Sequence, residues 1–141
     1  MKILVINGPN LNLLGIREPE IYGSLTLEEI EEKVKSYANF LNIDIEFYQS
    51  NIEGEIIDKI QMPDIDGIVI NPAGYSHTSV SIRDAISGVK KPAVEVHISN
   101  IYSREEFRHT SLIAPVCIGQ ISGFGADVYT LGIQALYNYL N

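Results

Sequence analysis

Runs of apolar side chains along the chain predict five strands. Two runs, at residues 2–6 and 67–70, are almost continuously apolar, which is typical of strands buried on both faces of a parallel sheet. A further strand is predicted over residues 93–97, after Pro92. Residues 43–48 instead alternate apolar and polar side chains and predict a half-exposed edge strand. A fifth strand is predicted over residues 116–121.

Helical spacing of apolar side chains predicts helices between these strands. The most regular helix begins at Thr26, where Thr26-Leu-Glu-Glu29 has the form of a capping box. Ser103-Arg-Glu-Glu106 has the same form and predicts a short helix that carries Arg104 and Arg108. The remaining helices are predicted over residues 53–60, over 78–87 with Gly88 beyond the end, and over 126–139.

Strands that alternate with helices in one domain of 141 residues predict an α/β fold with a doubly wound parallel sheet. The edge-like second strand favours the flavodoxin-like strand order 2-1-3-4-5. Ligands bind such sheets outside the carboxyl ends of the strands, near the point where the strand order reverses. Uncommon polar residues gather at three of these ends, residues 7–12, 71–77 and 95–100, so the sequence predicts a site there.

A connection of about seventeen residues, from Asn7 to Gly23, separates the first strand from the first regular helix. Such connections usually take ~2–6 residues, and longer ones are often lids or binding loops. It carries Arg17 and Tyr22 between Gly15 and Gly23, which can act as hinges. We interpret residues 7–23 as an active-site lid; the alternative is a surface loop with an incidental tyrosine.

Composition narrows the class of partner. A net charge of −8 and a pI of about 4.7 argue against nucleic acid and anionic membranes as partners. Cys117 is the single cysteine, so it forms no intramolecular disulfide, and no set of residues with metal-ligand spacing stands out. Because no apolar run approaches ~18 residues and no signal segment is recognisable, we expect a cytoplasmic protein.

The predicted site contains candidates for a general acid and a general base. Glu95 lies two residues before His97 on the same strand face, and a nearby carboxylate favours an imidazolium acid, although a structural histidine is the alternative. A free phenol is almost wholly protonated near neutral pH. An adjacent guanidinium stabilises the phenolate, so Arg17 could make Tyr22 a base when the lid is closed.

Asn71, His77 and Asp84 are candidates for hydrogen bonds to a polyhydroxylated ring. The alternatives are a helix N-cap for His77 and a surface ion pair for Asp84 with Arg83 or Lys90.

Residues 98–100 precede the short helix predicted from Ser103 and could cradle a carboxylate with their backbone N–H groups. Arg104 and Arg108, four residues apart, would share one face of that helix and reach an anion. Pairing with Glu105 or Glu106 at the surface is the alternative.

Several segments closely resemble type II 3-dehydroquinate dehydratase, in order and over nearly the whole chain. The segments are Asn7-Gly-Pro-Asn-Leu-Asn-Leu-Leu-Gly-x-Arg-Glu-Pro-x-x-Tyr-Gly23, Asn71-Pro-x-Gly-x-x-His-Thr-Ser79, Arg83-Asp84, Glu95-Val-His-Ile-Ser-Asn100 and Arg104-Glu-Glu-Phe-Arg108. Their joint occurrence is highly specific, and no catalytic position departs from the family pattern.

The resemblance implies a cofactor-free elimination of water from 3-dehydroquinate, which gives 3-dehydroshikimate in the shikimate pathway. It implies that Tyr22 removes a proton from C2 and that Arg17 stabilises the phenolate and steadies the closed lid. The enolate formed at C3 would be stabilised through a water that Asn10 holds. His97, assisted by Glu95, would protonate the departing C1 hydroxyl.

The resemblance also implies the residues that bind substrate and the assembled state. No metal is implied, and the expected assembly is a homo-oligomer, a dodecamer built from trimers. A catalytically silent flavodoxin-like module that senses a small carboxylate is the alternative function. The implied substrate-binding residues are Asn71, His77, Asp84, Ile98, Ser99 and Arg108, with Arg104 at a position that contacts the lid.

Overall fold

The computed structural model describes all 141 residues and contains one five-stranded sheet in the order β2-β1-β3-β4-β5. Every neighbouring pair of strands is parallel, which confirms the predicted α/β fold and the predicted strand order. The strands are β1 (Lys2–Asn7), β2 (Asp44–Gln49), β3 (Gly67–Asn71), β4 (Ala93–His97) and β5 (Gly119–Ser122).

Helices cover both faces of the sheet, which is why β3 and β4 are buried along their whole length. Helices α2 (Leu27–Phe40) and α5 (Asp127–Leu140) pack on one face over a cluster of 16 buried residues. Helices α3 (Glu53–Ile60) and α4 (Val80–Val89) cover the other face over a cluster of 12. None of these helices combines the length and the apolar character that a bilayer span requires.

The predicted lid has local structure of its own. A 3₁₀ turn occupies Leu11–Leu13, and a four-residue helix, α1 (Pro19–Tyr22), precedes Gly23. Pro19 suits the first position of α1 because that position needs no backbone donor. Helix α1 therefore fixes the position from which the Tyr22 side chain extends.

One of the two predicted capping boxes is present. Thr26 Oγ1 accepts from the Glu29 backbone N–H at 3.2 Å, and the Thr26 N–H donates to Glu29 Oε1 at 3.1 Å, so α2 begins as predicted. The prediction of a capping box and a helix at Ser103 was wrong. Its hydroxyl donates to the Asn100 carbonyl at 2.9 Å, and Arg104 has extended backbone, so only 3₁₀ turns form there.

Two other predicted boundaries were wrong. Helix α4 starts at Val80, because the Ser79 side chain accepts from the Ile82 N–H and caps it, and the helix runs through Gly88. Strand β5 starts at Gly119 rather than at residue 116, because Ala114–Val116 form a 3₁₀ turn with a proline in its first turn. The register of β5 with β4 places Gln120 beside Glu95.

Candidate active site

One cavity at the carboxyl ends of β1, β3 and β4 gathers most of the predicted site residues. It lies where the strand order reverses between β1 and β3, as the sequence predicted. Predicted residues in its lining are Asn10, Arg17, Tyr22, Asn71, His77, His97, Ile98, Ser99, Arg104 and Arg108.

Asp84 does not reach this cavity within the chain. Its side chain is 62% exposed on α4 and accepts a hydrogen bond from Arg83 Nη1 at 2.9 Å. The expectation that Asp84 joins Asn71 and His77 around one ring was therefore wrong for a single chain. The surface ion pair, which was the alternative, is what the structure contains.

His97 lines the base of the cavity, and Glu95 lies beneath it, outside the lining; we use "cavity floor" for this pair. Both side chains are buried on β4, and Glu95 Oε2 lies 3.1 Å from His97 Nε2. The hydroxyl of Ser76 lies 3.3 Å from the same nitrogen. Because Nε2 is engaged below the cavity, Nδ1 is the nitrogen left for a ligand.

The carboxylate of Glu95 is stabilised although no part of its side chain is exposed. Ser111 Oγ donates to Oε1 at 2.7 Å, and Gln120 Nε2 donates to Oε2. Burial by itself raises the pKa of the Glu95 carboxyl, but the hydrogen bonds and charge of His97, with those of Ser111 and Gln120, outweigh it and hold the pKa below its usual range. A carboxylate in this state stabilises a positive charge on the adjacent imidazole.

Tyr22 contacts two guanidinium groups above the floor. Arg104 Nη1 donates to the Tyr22 hydroxyl at 2.8 Å and to Ser99 Oγ at 3.2 Å. Arg17 lies over the ring, with its Cζ 4.9 Å from the ring centroid. The group on the phenol oxygen is therefore Arg104, whereas the sequence had assigned Arg17 to the phenol.

Arg104 and Arg108 line the cavity without sharing one helix face, since only two short 3₁₀ turns form in place of the predicted helix. Arg104 Nε is buried without a hydrogen-bond partner, while Arg108 Nε donates to Glu105 Oε2 at 3.2 Å. Arg104 Nε also lies 3.7 Å from Glu105 Oε1, an ion pair too long for a hydrogen bond, so the surface-pairing alternative holds in part for both arginines.

His77 lies against the floor rather than capping a helix. Its Nδ1 is 2.8 Å from the Thr110 carbonyl, and its ring stacks on that of His97 with centroids 6.3 Å apart. Donation from Nδ1 to that carbonyl leaves Nε2 of His77 as an acceptor for a ligand.

Asn71 is fixed by a residue that the sequence did not single out. Tyr129, fully buried on α5, accepts from Asn71 Nδ2 at 3.0 Å and donates to Asn7 Oδ1 at 2.6 Å. Burial raises the pKa of Tyr129, so its hydroxyl remains a donor. The Asn71 Oδ1 atom accepts from the Ala73 N–H at 3.2 Å, which completes the orientation of the amide.

The backbone around the cavity is tightly constrained. Asn10 and Ala73 adopt left-handed conformations, with φ of 69° and 53°. Gly8 donates its N–H to the Asn71 carbonyl at 2.8 Å, and a Cβ at Gly8 would stand 2.5 Å from the Pro72 carbonyl oxygen. Only glycine fits where the chain after β1 passes the end of β3.

Ser76, Ser111, Gln120 and Tyr129 are contributors that sequence reasoning missed. Gln120 offered a partial signal, because it is a polar side chain inside a predicted strand. The other three gave none, because their contacts join segments far apart in sequence.

A phenol and an imidazole, each with a charged partner, therefore line one cavity, and Arg17, Arg104 and Arg108 line the same cavity. This arrangement suits removal of a proton from one carbon and delivery of a proton to a leaving group, on a ligand that carries negative charge. No group of three or more His, Cys, Asp or Glu side chains is placed to hold a metal ion.

Comparisons with known proteins agree over nearly the whole chain. Residues 1–137 match the family described as dehydroquinase class II. The "3-dehydroquinate dehydratase" of Acaryochloris marina is 62% identical over 140 residues, which are 98% of this chain and 94% of that protein.

Solved structures give the same result. The type II dehydroquinase of Butyrivibrio crossotus has a TM-score of 0.95 at 54% identity and is covered over 97% of both chains. The type II dehydroquinase of Propionibacterium acnes has a TM-score of 0.93 at 41% identity, with 97% of this chain and 96% of that chain covered.

Proposed function

The chain belongs to the class II dehydroquinase family, and from that premise we propose that it eliminates water from 3-dehydroquinate to give 3-dehydroshikimate in the shikimate pathway. The observation that carries the proposal is that Tyr22 and His97 line one cavity. The reaction needs a base and an acid on the same substrate, and these two side chains provide them.

Tyr22 acts as the base in this proposal. The hydrogen bond from Arg104 and the nearby charge of Arg17 stabilise negative charge on the phenol oxygen. The phenolate removes a proton from C2 of the substrate, and the electron pair of that C–H bond moves onto the C3 carbonyl as an enolate. Asn10, which lines the cavity, holds a water that donates to the enolate oxygen.

His97 acts as the acid. Its imidazolium, stabilised by Glu95 at 3.1 Å, donates a proton to the C1 hydroxyl. The enolate electrons form the C1–C2 double bond as the C1–O bond breaks and water leaves. Tyr22 then returns its proton to solvent and His97 takes one up, so both residues regain their starting state without a cofactor.

The remaining cavity residues bind the substrate. Arg108, Ile98 and Ser99 line the cavity and suit the substrate carboxylate, and the guanidinium of Arg104 adds positive charge. Asn71 and His77 present fixed polar atoms to the ring hydroxyls.

Asp84 requires a second copy of the chain. Within its own chain Asp84 is exposed on α4 and does not line the cavity, so in this proposal it contributes to the cavity of a neighbouring copy. This fits the proposed homo-oligomer, a dodecamer built from trimers, in what we propose is a cytoplasmic enzyme. Light scattering of the purified protein measures the assembly.

An ultraviolet assay tests the function directly. The conjugated enone of 3-dehydroshikimate absorbs where 3-dehydroquinate does not, so absorbance should rise when the protein is added. Prior dialysis against a chelator should leave the rate unchanged if the reaction is cofactor-free. Substrate that binds without any rise in absorbance would instead identify a silent carboxylate-binding module.

A further inference from the structure

We propose that Gln120 and Ser111 are positioning residues for the acid, because their side chains keep Glu95 ionised and fixed beneath His97. The inference rests on the proposed role of His97 as the proton donor. Neither residue lines the cavity, so each acts through Glu95 rather than on the substrate.

The first support is the number of donors around the carboxylate. Oε1 faces the hydroxyls of Ser111 at 2.7 Å and Ser76 at 3.5 Å, while Oε2 faces His97 Nε2 at 3.1 Å and Gln120 Nε2. An ionised carboxylate has about four lone-pair sites. These side chains therefore replace the water that Glu95, with an exposure of 0%, has lost.

The second support is the way in which Gln120 is oriented. Strand β5 places Gln120 in register with Glu95 across the edge of the sheet. Ser122 Oγ donates to Gln120 Oε1 at 3.1 Å, so the amide oxygen is occupied and the amide N–H₂ turns towards Glu95. The hydrogen bond from Ser122 therefore orients the Gln120 amide as a donor to the carboxylate.

Ser111 is held as a donor in a similar way. Its oxygen accepts from the backbone N–H groups of Ile113 at 3.1 Å and Ala114 at 3.0 Å. With both lone pairs used, the one hydroxyl hydrogen is left for Glu95 Oε1.

The third support is charge. Ser111 and Gln120 are neutral, and the Cys117 thiol beside Glu95 is neutral as well, since burial and the Glu95 charge raise the pKa of Cys117 to about 12. A lysine or arginine in their place would neutralise Glu95 and compete with the imidazolium. Neutral donors keep the carboxylate ionised and leave its charge to act on His97.

The other titratable groups around His97 form no hydrogen bond with Glu95. His77 stacks on His97 and is bound to the Thr110 carbonyl, and the cavity cations Arg104 and Arg108 make no contact with Glu95. They therefore do not supply the donors that Ser111 and Gln120 supply.

The variant Gln120→Met tests the proposal, since methionine has a similar length and no donor. The same exchange at Gln134, exposed on α5, is the matched control. The pH dependence of kcat/KM is measured together with the pH dependence of the His97 imidazole resonances by NMR. In Gln120→Met the Glu95 carboxylate loses one donor and should be protonated at a higher pH. We therefore expect the acid-side midpoint of both pH profiles to move up by about one pH unit, the size of one hydrogen bond to a charged group.

The alkaline-side midpoint should stay in place, because Glu95 is ionised on both sides of that step. The Gln134→Met control should match the parent on both sides. A purely structural role would lower the rate evenly over the pH range and leave both midpoints unmoved, and that result would overturn the proposal.

Two further arms complete the test. If Gln120→Met does not fold, Ser122→Ala should give a smaller upward shift of the same midpoint, and no shift would overturn the proposal. The NMR measurement needs no substrate. A shifted midpoint in a protein that forms no enone would support the role of Gln120 while contradicting the proposed function.

Discussion

The floor and the lid of the cavity are built in opposite ways. Glu95 and His97 are buried on β4, and the carboxylate has hydrogen-bond donors on both oxygens. Tyr22 comes from a helix of four residues with no buried residue, and Arg104 is its one hydrogen-bond partner from another segment. The acid is thus in place before substrate arrives, whereas the base depends on where the lid lies.

The largest expected effect comes from the lid. Tyr22→Phe keeps the ring and removes the proposed base, so kcat should fall about 10³-fold, within the usual range for a general base, while substrate still binds. The kinetics are measured with the enone assay, and substrate binding by calorimetry. Tyr102→Phe, at a tyrosine that is 58% exposed, is the control. Near-normal turnover of Tyr22→Phe would remove Tyr22 from the role of base.

The next effect distinguishes the two guanidinium groups. Arg104→Lys should lower kcat by about 10- to 100-fold, because it breaks a hydrogen bond to an oxygen that becomes charged. Arg17→Lys should cost less, because Arg17 lies over the ring and lysine keeps the charge without the planar geometry. Equal losses in the two variants would contradict this division. An Arg17→Ala variant with an unchanged pH–rate profile would show that Arg17 does not stabilise the phenolate.

A smaller effect is expected at the carboxyl ends of β1 and β3. Tyr129→Phe leaves the Asn7 and Asn71 amides without a buried partner and should lower the free energy of unfolding by about 1–3 kcal/mol, measured in urea. KM should rise more than kcat falls, because Asn71 loses its orientation. Tyr139→Phe on the same helix, 62% exposed, should change neither quantity. An unchanged KM in Tyr129→Phe would mean that the hydroxyl serves stability alone.

The smallest effect is the acid dependence of stability. The folded-state pKa of Glu95 lies below the ordinary 4.5, so its contribution is present above that value and is lost as the pH falls through the folded-state pKa. In Glu95→Gln the free energy of unfolding should therefore fall less steeply with decreasing pH than in the parent. The difference in slope should be at most about 1.4 kcal/mol per pH unit. Urea titrations at several pH values measure it. Equal slopes would show that Glu95 is not held ionised.

Local patterns were sufficient for most of the fold. The buried runs of β1, β3 and β4 and the Thr26 capping box depend on neighbours in sequence, and the structure contains them as predicted. The capping box at Ser103 failed because the same local pattern has a competing use, the hydroxyl bonding back to the Asn100 carbonyl.

The site residues likewise differ in whether local sequence was sufficient to predict them. Tyr22 and His97 could be selected because each lies at a strand end or in a long connection. Gln120 could not, because its contact with Glu95 depends on where β5 begins and on its register with β4. Tyr129 could not either, because its hydroxyl meets Asn7 over a separation of 122 residues.

The contact of Tyr129 with Asn7 and Asn71 has a consequence for biosynthesis. The ribosome completes every cavity-lining residue, from Pro9 to Arg108, before it adds Tyr129. A nascent chain that lacks α5 carries the whole lining but lacks the Tyr129 hydroxyl that accepts from Asn71 Nδ2. Substrate binding should therefore emerge only after the carboxyl-terminal helix has left the exit tunnel and docked.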